Sequence, residues 1–146
     1  MYSFTRIYNT NDSIFVKTNT IFAKNKKQIL IMDFKNALIV DDEVDIGILL
    51  GAFLRKRIAS VDIAYSLQSG LAKAKELNPQ LILLDHNLPD GHGIDYIKKF
   101  KELVPSAKIV IISAMSNLKE LALSNGADFF LAKPISFGKL TEAITH

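Results

Sequence analysis

The sequence predicts an α/β protein: a doubly wound, five-stranded parallel sheet flanked by five helices. Two observations carry that expectation. Short continuous apolar runs recur along residues 36–146, and segments with helical spacing separate them. Runs without polar alternation read as strands buried on both faces, as a parallel sheet covered by helices requires. Right-handed crossovers between such strands place helices on both sides.

The elements follow in order. Ala37-Leu38-Ile39-Val40 is the first strand. Val44 to Ile58 is the first helix, with Ile46, Leu49, Leu50, Phe53 and Ile58 expected on its buried stripe. Arg55, Lys56 and Arg57 close it where cations favour the dipole. Val61 to Tyr65 alternates, as an edge strand does. Ser66 is the expected N-cap of a second helix carrying Leu67, Leu71, Ala74 and Leu77, which Asn78-Pro79 stops. Leu81 to Leu84 is the third strand, and Gly93 to Leu103 a helix closed before Pro105. Ile109 to Ile112 is the fourth strand. Ser116 is the expected cap of a helix through Leu118, Leu121 and Ala122, ending at Asn125 with Gly126 as its glycine stop. Phe129 to Ala132 is the last strand, and Ser136 caps a short helix that runs out near Ile144.

Residues 1–35 stand outside this pattern and form an extension of unclear role. They offer three β-prone pieces, Phe4 to Tyr8, Ile14 to Thr18 and Gln28 to Met32, separated by Asn, Thr and Asp turns. Met32 makes a natural beginning for the domain at 36–146. The apolar residues of the extension are expected to pair as a hairpin or to lie across a second copy, which makes a homodimer a candidate assembly.

At 146 residues the chain suits one domain, and 49% hydrophobic content is enough for a packed core. With no cysteine, disulfides, thiolate metal sites and thiol nucleophiles are excluded. No apolar stretch approaches the ~18 residues of a membrane span, and Lys24, Lys26 and Lys27 interrupt any signal-like segment. The expected setting is cytoplasmic, without membrane contact. The formal charge of +3 is uneven: residues 1–35 carry a net +4 and residues 36–146 a net −1. The basicity therefore belongs to the extension, and direct nucleic-acid binding is not expected of the domain.

What stands at the strand ends points to chemistry. The first run is followed by Asp41-Asp42, the third by Asp85, the fourth by Ser113 and the fifth by Lys133. In an open doubly wound sheet, ligands bind outside the carboxyl ends of the strands. Three carboxylates at close range repel one another, and a bound cation relieves them. Oxygen donors alone suit a hard ion such as Mg²⁺. A carboxylate is also a competent nucleophile towards phosphorus, with a lysine and a hydroxyl to stabilise the phosphoryl oxygens. Each residue alone has a plainer meaning: acidic residues favour a helix start, and Asp before Pro forms turns. Together they outweigh it.

Leu38 to Glu43, Leu81 to Gly93, Ile112-Ser113-Ala114, and Gly126-Ala127-Asp128 with Lys133-Pro134 resemble the receiver domains of two-component response regulators. The likeness covers residues 36–146, with four motifs in the right order and spacing. It implies strand order 2-1-3-4-5 and a phosphoryl-accepting signalling domain rather than an enzyme. It also implies that Asp85 receives the phosphoryl group from a histidine kinase or a histidine phosphotransfer protein. Asp42, Asp85 and the backbone carbonyl of Asn87 would hold Mg²⁺, with Asp41 acting through water. Ser113 takes the switch hydroxyl position, Lys133 the lysine position, and Phe130 the switch aromatic position. A cis peptide is implied between Lys133 and Pro134. Two departures are plain: His92-Gly93 replaces the common Asp-Gly, with Asp90 earlier, and the last helix is short.

A pseudo-receiver of the same fold, binding partners without phosphorylation, is the alternative. A phosphatase of the haloacid dehalogenase kind is excluded, because its chemistry wants a carboxylate where Asn87 stands and a cap insertion. His86 and His92 are read as solvated loop residues. Gly91-His92-Gly93 is not a dinucleotide loop, since Tyr96 stands at the third glycine position.

Overall fold

The computed structural model describes the backbone of residues 2–10, 13–21 and 34–146, and side chains from residue 34 onward. The chain divides into two compact units, Met1–Leu30 and Ile31–His146. In the first, β1 (Tyr2–Thr10) and β2 (Ser13–Ile21) pair antiparallel, from Tyr2 opposite Ile21 to Thr10 opposite Ser13. The expected strand at Gln28 to Met32 lies outside the described residues.

The second unit alternates strand and helix: β3 (Asn36–Val40), α1 (Val44–Arg55), β4 (Ser60–Ala64), α2 (Leu67–Leu77) and β5 (Leu81–Asp85). A small hairpin follows, β6 (Asn87–Leu88) with β7 (Gly91–His92). Then come α3 (Gly93–Leu103), β8 (Lys108–Ser113), a 3₁₀ turn at Ser116–Leu118, α4 (Lys119–Ser124), β9 (Phe129–Ala132) and α5 (Phe137–Thr145). The five parallel strands lie in the order β4-β3-β5-β8-β9, so the second strand of the sheet pairs with the first and the chain then reverses direction across it. That reversal lies between β3 and β5.

The period of two along each strand divides the core. Leu38, Val40, Ile82, Leu84, Ile109 and Ile111 face one side, with Leu67 and Ala74 of α2, Ile94, Ile97 and Phe100 of α3 and Ala122 of α4. Ala37, Ile39, Leu81, Leu83, Val110 and Ile112 face the other, with Leu50 and Leu54 of α1 and Leu140, Ala143 and Ile144 of α5. Each fully buried Leu or Ile contributes about 1.5–3 kcal/mol over leaving it in water.

Two helices depart from expectation. In α1 the buried face is Gly47, Leu50, Gly51 and Leu54; Leu49 is 52% exposed, and the helix ends at Arg55, with Ile58 packing from the turn beyond it. Ile46 and Phe53 pack against the same cluster as expected, so Leu49 alone leaves the expected stripe. A Cβ on Gly47 would stand 3.2 Å from Ile63 Cγ2, so the helix lies too close to the sheet for larger residues on that line. Ser116 does not cap α4, which is only six residues long and begins without a side-chain cap. Leu121 is exposed and Ala122 alone of α4 is buried. The remaining ends match: Ser66 Oγ accepts from Ser69 N–H, Ser136 Oγ accepts from Lys139 N–H, and Gly126 follows α4 at φ +104°.

Candidate functional site

The crevice where the strand order reverses is lined by the residues that end the strands. Asp85 is the last residue of β5 and is 3% exposed; Asp41, just past β3, is 1% exposed. Asp85 Oδ2 accepts from the Asn87 N–H at 2.8 Å, and its Oδ1 accepts from Lys133 Nζ at 2.8 Å. Asp41 Oδ1 accepts from the Glu43 N–H at 2.9 Å. Its Oδ2 is buried with no hydrogen-bond partner, and Lys133 Nζ stands 3.7 Å away.

Asp41, Asp42 and Asp85 each bring a carboxylate oxygen within 4.8 Å of the others. Burial pushes the Asp41 carboxyl up to about 6; the Glu43 N–H works against this and the Asp85 charge adds to it. A buried, unpartnered carboxylate oxygen among two other carboxylates is what a cation would satisfy, and an oxygen-only set suits a hard divalent ion. For Lys133, burial opposes the charge, but bonds to Asp85 and Glu43 outweigh it and hold the ammonium above its ordinary pKa.

Ser113 ends β8 and is buried, its Oγ accepting from the Met115 N–H at 3.0 Å. Lys133 N–H donates to the Ser113 carbonyl at 2.8 Å, tying the two strand ends together. The Lys133–Pro134 peptide is cis. The Asn87 side chain is exposed, and its backbone N–H faces Asp85. Phe130 lies two residues before Ala132, the end of β9, and is already inside, 9% exposed in the cluster with α2, α3 and α4. The sequence-predicted residues Asp41, Asp42, Asp85 and Lys133 thus meet at one place, Ser113 borders it, and Phe130 sits beneath it.

Five further residues shape the site and were not singled out for it by the sequence. Glu43 Oε1 accepts from Lys133 Nζ at 2.8 Å across 90 residues of chain. The Asp90 carboxylate accepts from the N–H groups of Leu67 and Gln68 at 2.8 and 2.9 Å, and those bonds hold its pKa low. Asp90 therefore ties the hairpin after Asp85 to the start of α2. Gly93 packs its Cα against the Asp85 carbonyl so closely that no Cβ fits, so this position requires glycine. His86 and His92 stack with ring centroids 4.9 Å apart. Burial, then His92, pushes the His86 pKa down, and its Nδ1 is buried without a partner. The reading of His86 as a solvated loop residue is therefore corrected.

Comparison with known proteins fits this geometry. The family model for the response regulator receiver domain matches residues 37–145. The chain is 33% identical over 115 residues to the chemotaxis protein CheY of Thermotoga maritima, covering 75% of this chain and 94% of that one. It is 38% identical over 107 residues to the KDP operon transcriptional regulatory protein KdpE of Escherichia coli, covering 72% of this chain and 47% of KdpE. The chain thus spans about half of that transcriptional regulator and nearly all of CheY. Among solved structures, the beryllofluoride-activated NtrC4 receiver domain dimer superposes with a TM-score of 0.70 at 34% identity, over 77% of this chain and 94% of that one. A response regulator from Burkholderia pseudomallei with a phosphorylated aspartic acid and a calcium ion gives a TM-score of 0.68 at 28% identity, over 75% and 66%. On fold and family match, this chain belongs to the receiver domains of two-component response regulators.

Proposed function

We propose that Asp85 is the phosphoacceptor, taking a phosphoryl group from the phosphohistidine of a histidine kinase or histidine phosphotransfer protein in a Mg²⁺-dependent reaction. The observation that supports this most directly is the ion pair of Asp85 with Lys133 at 2.8 Å, on a buried carboxylate at the mouth of the sheet. Asp41, Asp42, Asp85 and the Asn87 carbonyl are the groups that would hold the cation. When bound, Mg²⁺ supplies charge neutralisation for the phosphoryl oxygens and the carboxylates.

The chain's own residues do the rest. The Asn87 N–H and Lys133 Nζ orient the Asp85 carboxylate, one on each oxygen. Lys133 is positioned to neutralise a phosphoryl oxygen and Ser113 Oγ to donate a hydrogen bond to another. To donate there, Ser113 must turn from its contact with Met115 N–H, which draws the Ala114–Leu118 segment towards the site. Phe130 is already packed inward, so the change read by a partner is carried by that segment and α4 more than by the aromatic ring.

Incubation with acetyl phosphate and Mg²⁺ followed by intact mass measurement tests the assignment. Wild type is expected to gain one phosphoryl group and Asp85→Asn none. An adduct of unchanged yield in Asp85→Asn would overturn it.

A further inference from the structure

Lys133 is held from two directions. Its Nζ donates to Asp85 Oδ1 and to Glu43 Oε1, both at 2.8 Å. The two acceptors differ in setting: the Glu43 side chain is 59% exposed at the rim, while the Asp85 side chain is enclosed. Glu43 is fixed at its other end, where its backbone N–H donates to Asp41. Its carboxylate makes no cap to α1, although it stands at the N-cap position. Among its described contacts, its side chain is spent on Lys133 alone.

A phosphoryl group arriving at Asp85 needs the same ammonium. Two of the three Lys133 protons are already committed, and the outer one points to Glu43, on the side open to solvent. Glu43 also adds an exposed carboxylate, joined through Lys133 to the site that holds Asp41, Asp42 and Asp85. Both effects act in the same direction: they hold Lys133 back and repel a small phosphorylated molecule.

From this arrangement we propose that Glu43 is a positioning residue that restrains Lys133 and makes the site resist small anionic phosphodonors. The proposal rests on Asp85 as phosphoacceptor. In the reaction concerned, a carboxylate oxygen of Asp85 forms a bond to phosphorus as the bond from phosphorus to the acetate oxygen breaks. Acetate leaves with the electron pair, and no proton or redox partner is needed. Glu43 takes no part in the bond changes and acts only through Lys133 and through its charge. A protein donor that presents a cation to Glu43 relieves the restraint; acetyl phosphate, which brings only negative charge, does not.

The experiment compares wild type, Glu43→Gln and Glu43→Ala in phosphorylation by acetyl phosphate at saturating Mg²⁺, with the Mg²⁺ titration and thermal midpoint measured alongside. Both variants are expected to react about two- to five-fold faster, the range set by an exposed ion pair. Their advantage is expected to shrink as salt rises from about 0.05 M to about 1 M, because the effect is Coulombic. Midpoints are expected to stay close to wild type, and a purely structural role would not produce the salt dependence. Variants that react no faster than a wild type that is itself phosphorylated overturn the role of Glu43 and leave Asp85 standing. An advantage unchanged by salt also overturns it. A wild type that takes up no phosphoryl group overturns both readings.

Discussion

Asp90 caps a helix that begins 23 residues before it: its carboxylate accepts the N–H groups of Leu67 and Gln68 and so pins the hairpin beyond Asp85 to α2. One oxygen serves each N–H, so Asp90→Asn loses an acceptor as well as the charge that favours a helix N-terminus. The variant is expected to unfold at a lower temperature than wild type near neutral pH. The pKa of Asp90 is lowered in the fold from 3.8, so its contribution is present above that pH and lost as pH falls through the folded value. The gap between the two midpoints is expected to close in acid; a gap that widens contradicts the capping role.

Asp41 titrates in the opposite sense. Its carboxyl is raised from 3.8 to about 6 by burial, so the fold favours the protonated form. That contribution is present below pH 3.8 and is lost as pH rises through about 6. Metal-free protein is therefore expected to lose on the order of 2–3 kcal/mol across this window. Mg²⁺ should stabilise strongly near pH 7.5 and little near pH 5, which thermal melts with and without the ion will measure. Asp42→Ala is expected to remove most of the Mg²⁺ effect, and Asp90→Asn to leave it in place.

Gly93→Ala places a methyl group against the Asp85 carbonyl, which is backbone and cannot swing aside. The helix start or the end of β5 must shift. Far-ultraviolet circular dichroism is expected to stay near wild type while the rate of acetyl phosphate uptake falls at least ten-fold, since about 1 Å of misplacement carries that cost. An unchanged rate would mean that the contact relaxes freely.

Beryllofluoride with Mg²⁺ is expected to shift the amide resonances of residues 114–140 in the nuclear magnetic resonance spectrum, because Ser113 borders the site and, among the described residues, its Oγ is held by Met115 alone. In Ser113→Ala the shifts near Asp85 should persist and those in α4 should largely vanish. Shifts in α4 that survive the substitution would place the relay elsewhere.

Residues 1–31 are expected to be dispensable for phosphorylation, since every site residue lies between Asp41 and Lys133. Among the described residues β1 pairs with β2, and a two-stranded hairpin by itself is marginal in water. Deletion should leave acetyl phosphate uptake intact and lower the apparent mass in light scattering. Loss of uptake would move the domain boundary upstream.

The strand ends were legible because a carboxylate that stops an aliphatic run is a pattern in one dimension: Val40 to Asp41 and Leu84 to Asp85 are each adjacent in sequence. What the sequence hid depends on distance or on absence. Glu43 and Lys133 are 90 residues apart, and no local pattern joins them. Ile46, Leu50, Phe53 and Ile58 of the first helical segment pack as their spacing implies, whereas the close approach at Gly47 and Gly51 is invisible in the pattern because neither carries a side chain. The capping role of Asp90 is not legible in the sequence, because a cap supplied from another element leaves no spacing signature near Leu67. The length of α4 was overread from Leu118, Leu121 and Ala122, of which only the last is buried.

A helix whose one fully buried residue is an alanine has a consequence for the resting state of the domain. Ala122 has little surface to bury, so the free energy separating the resting position of α4 from others is small. A gap of about 2 kcal/mol would leave roughly 3% of molecules displaced with no phosphoryl group present. Such displaced molecules would be present before any phosphoryl group arrives, and enlarging the fully buried Ala122 is expected to raise their share, because the added methyl groups have no room.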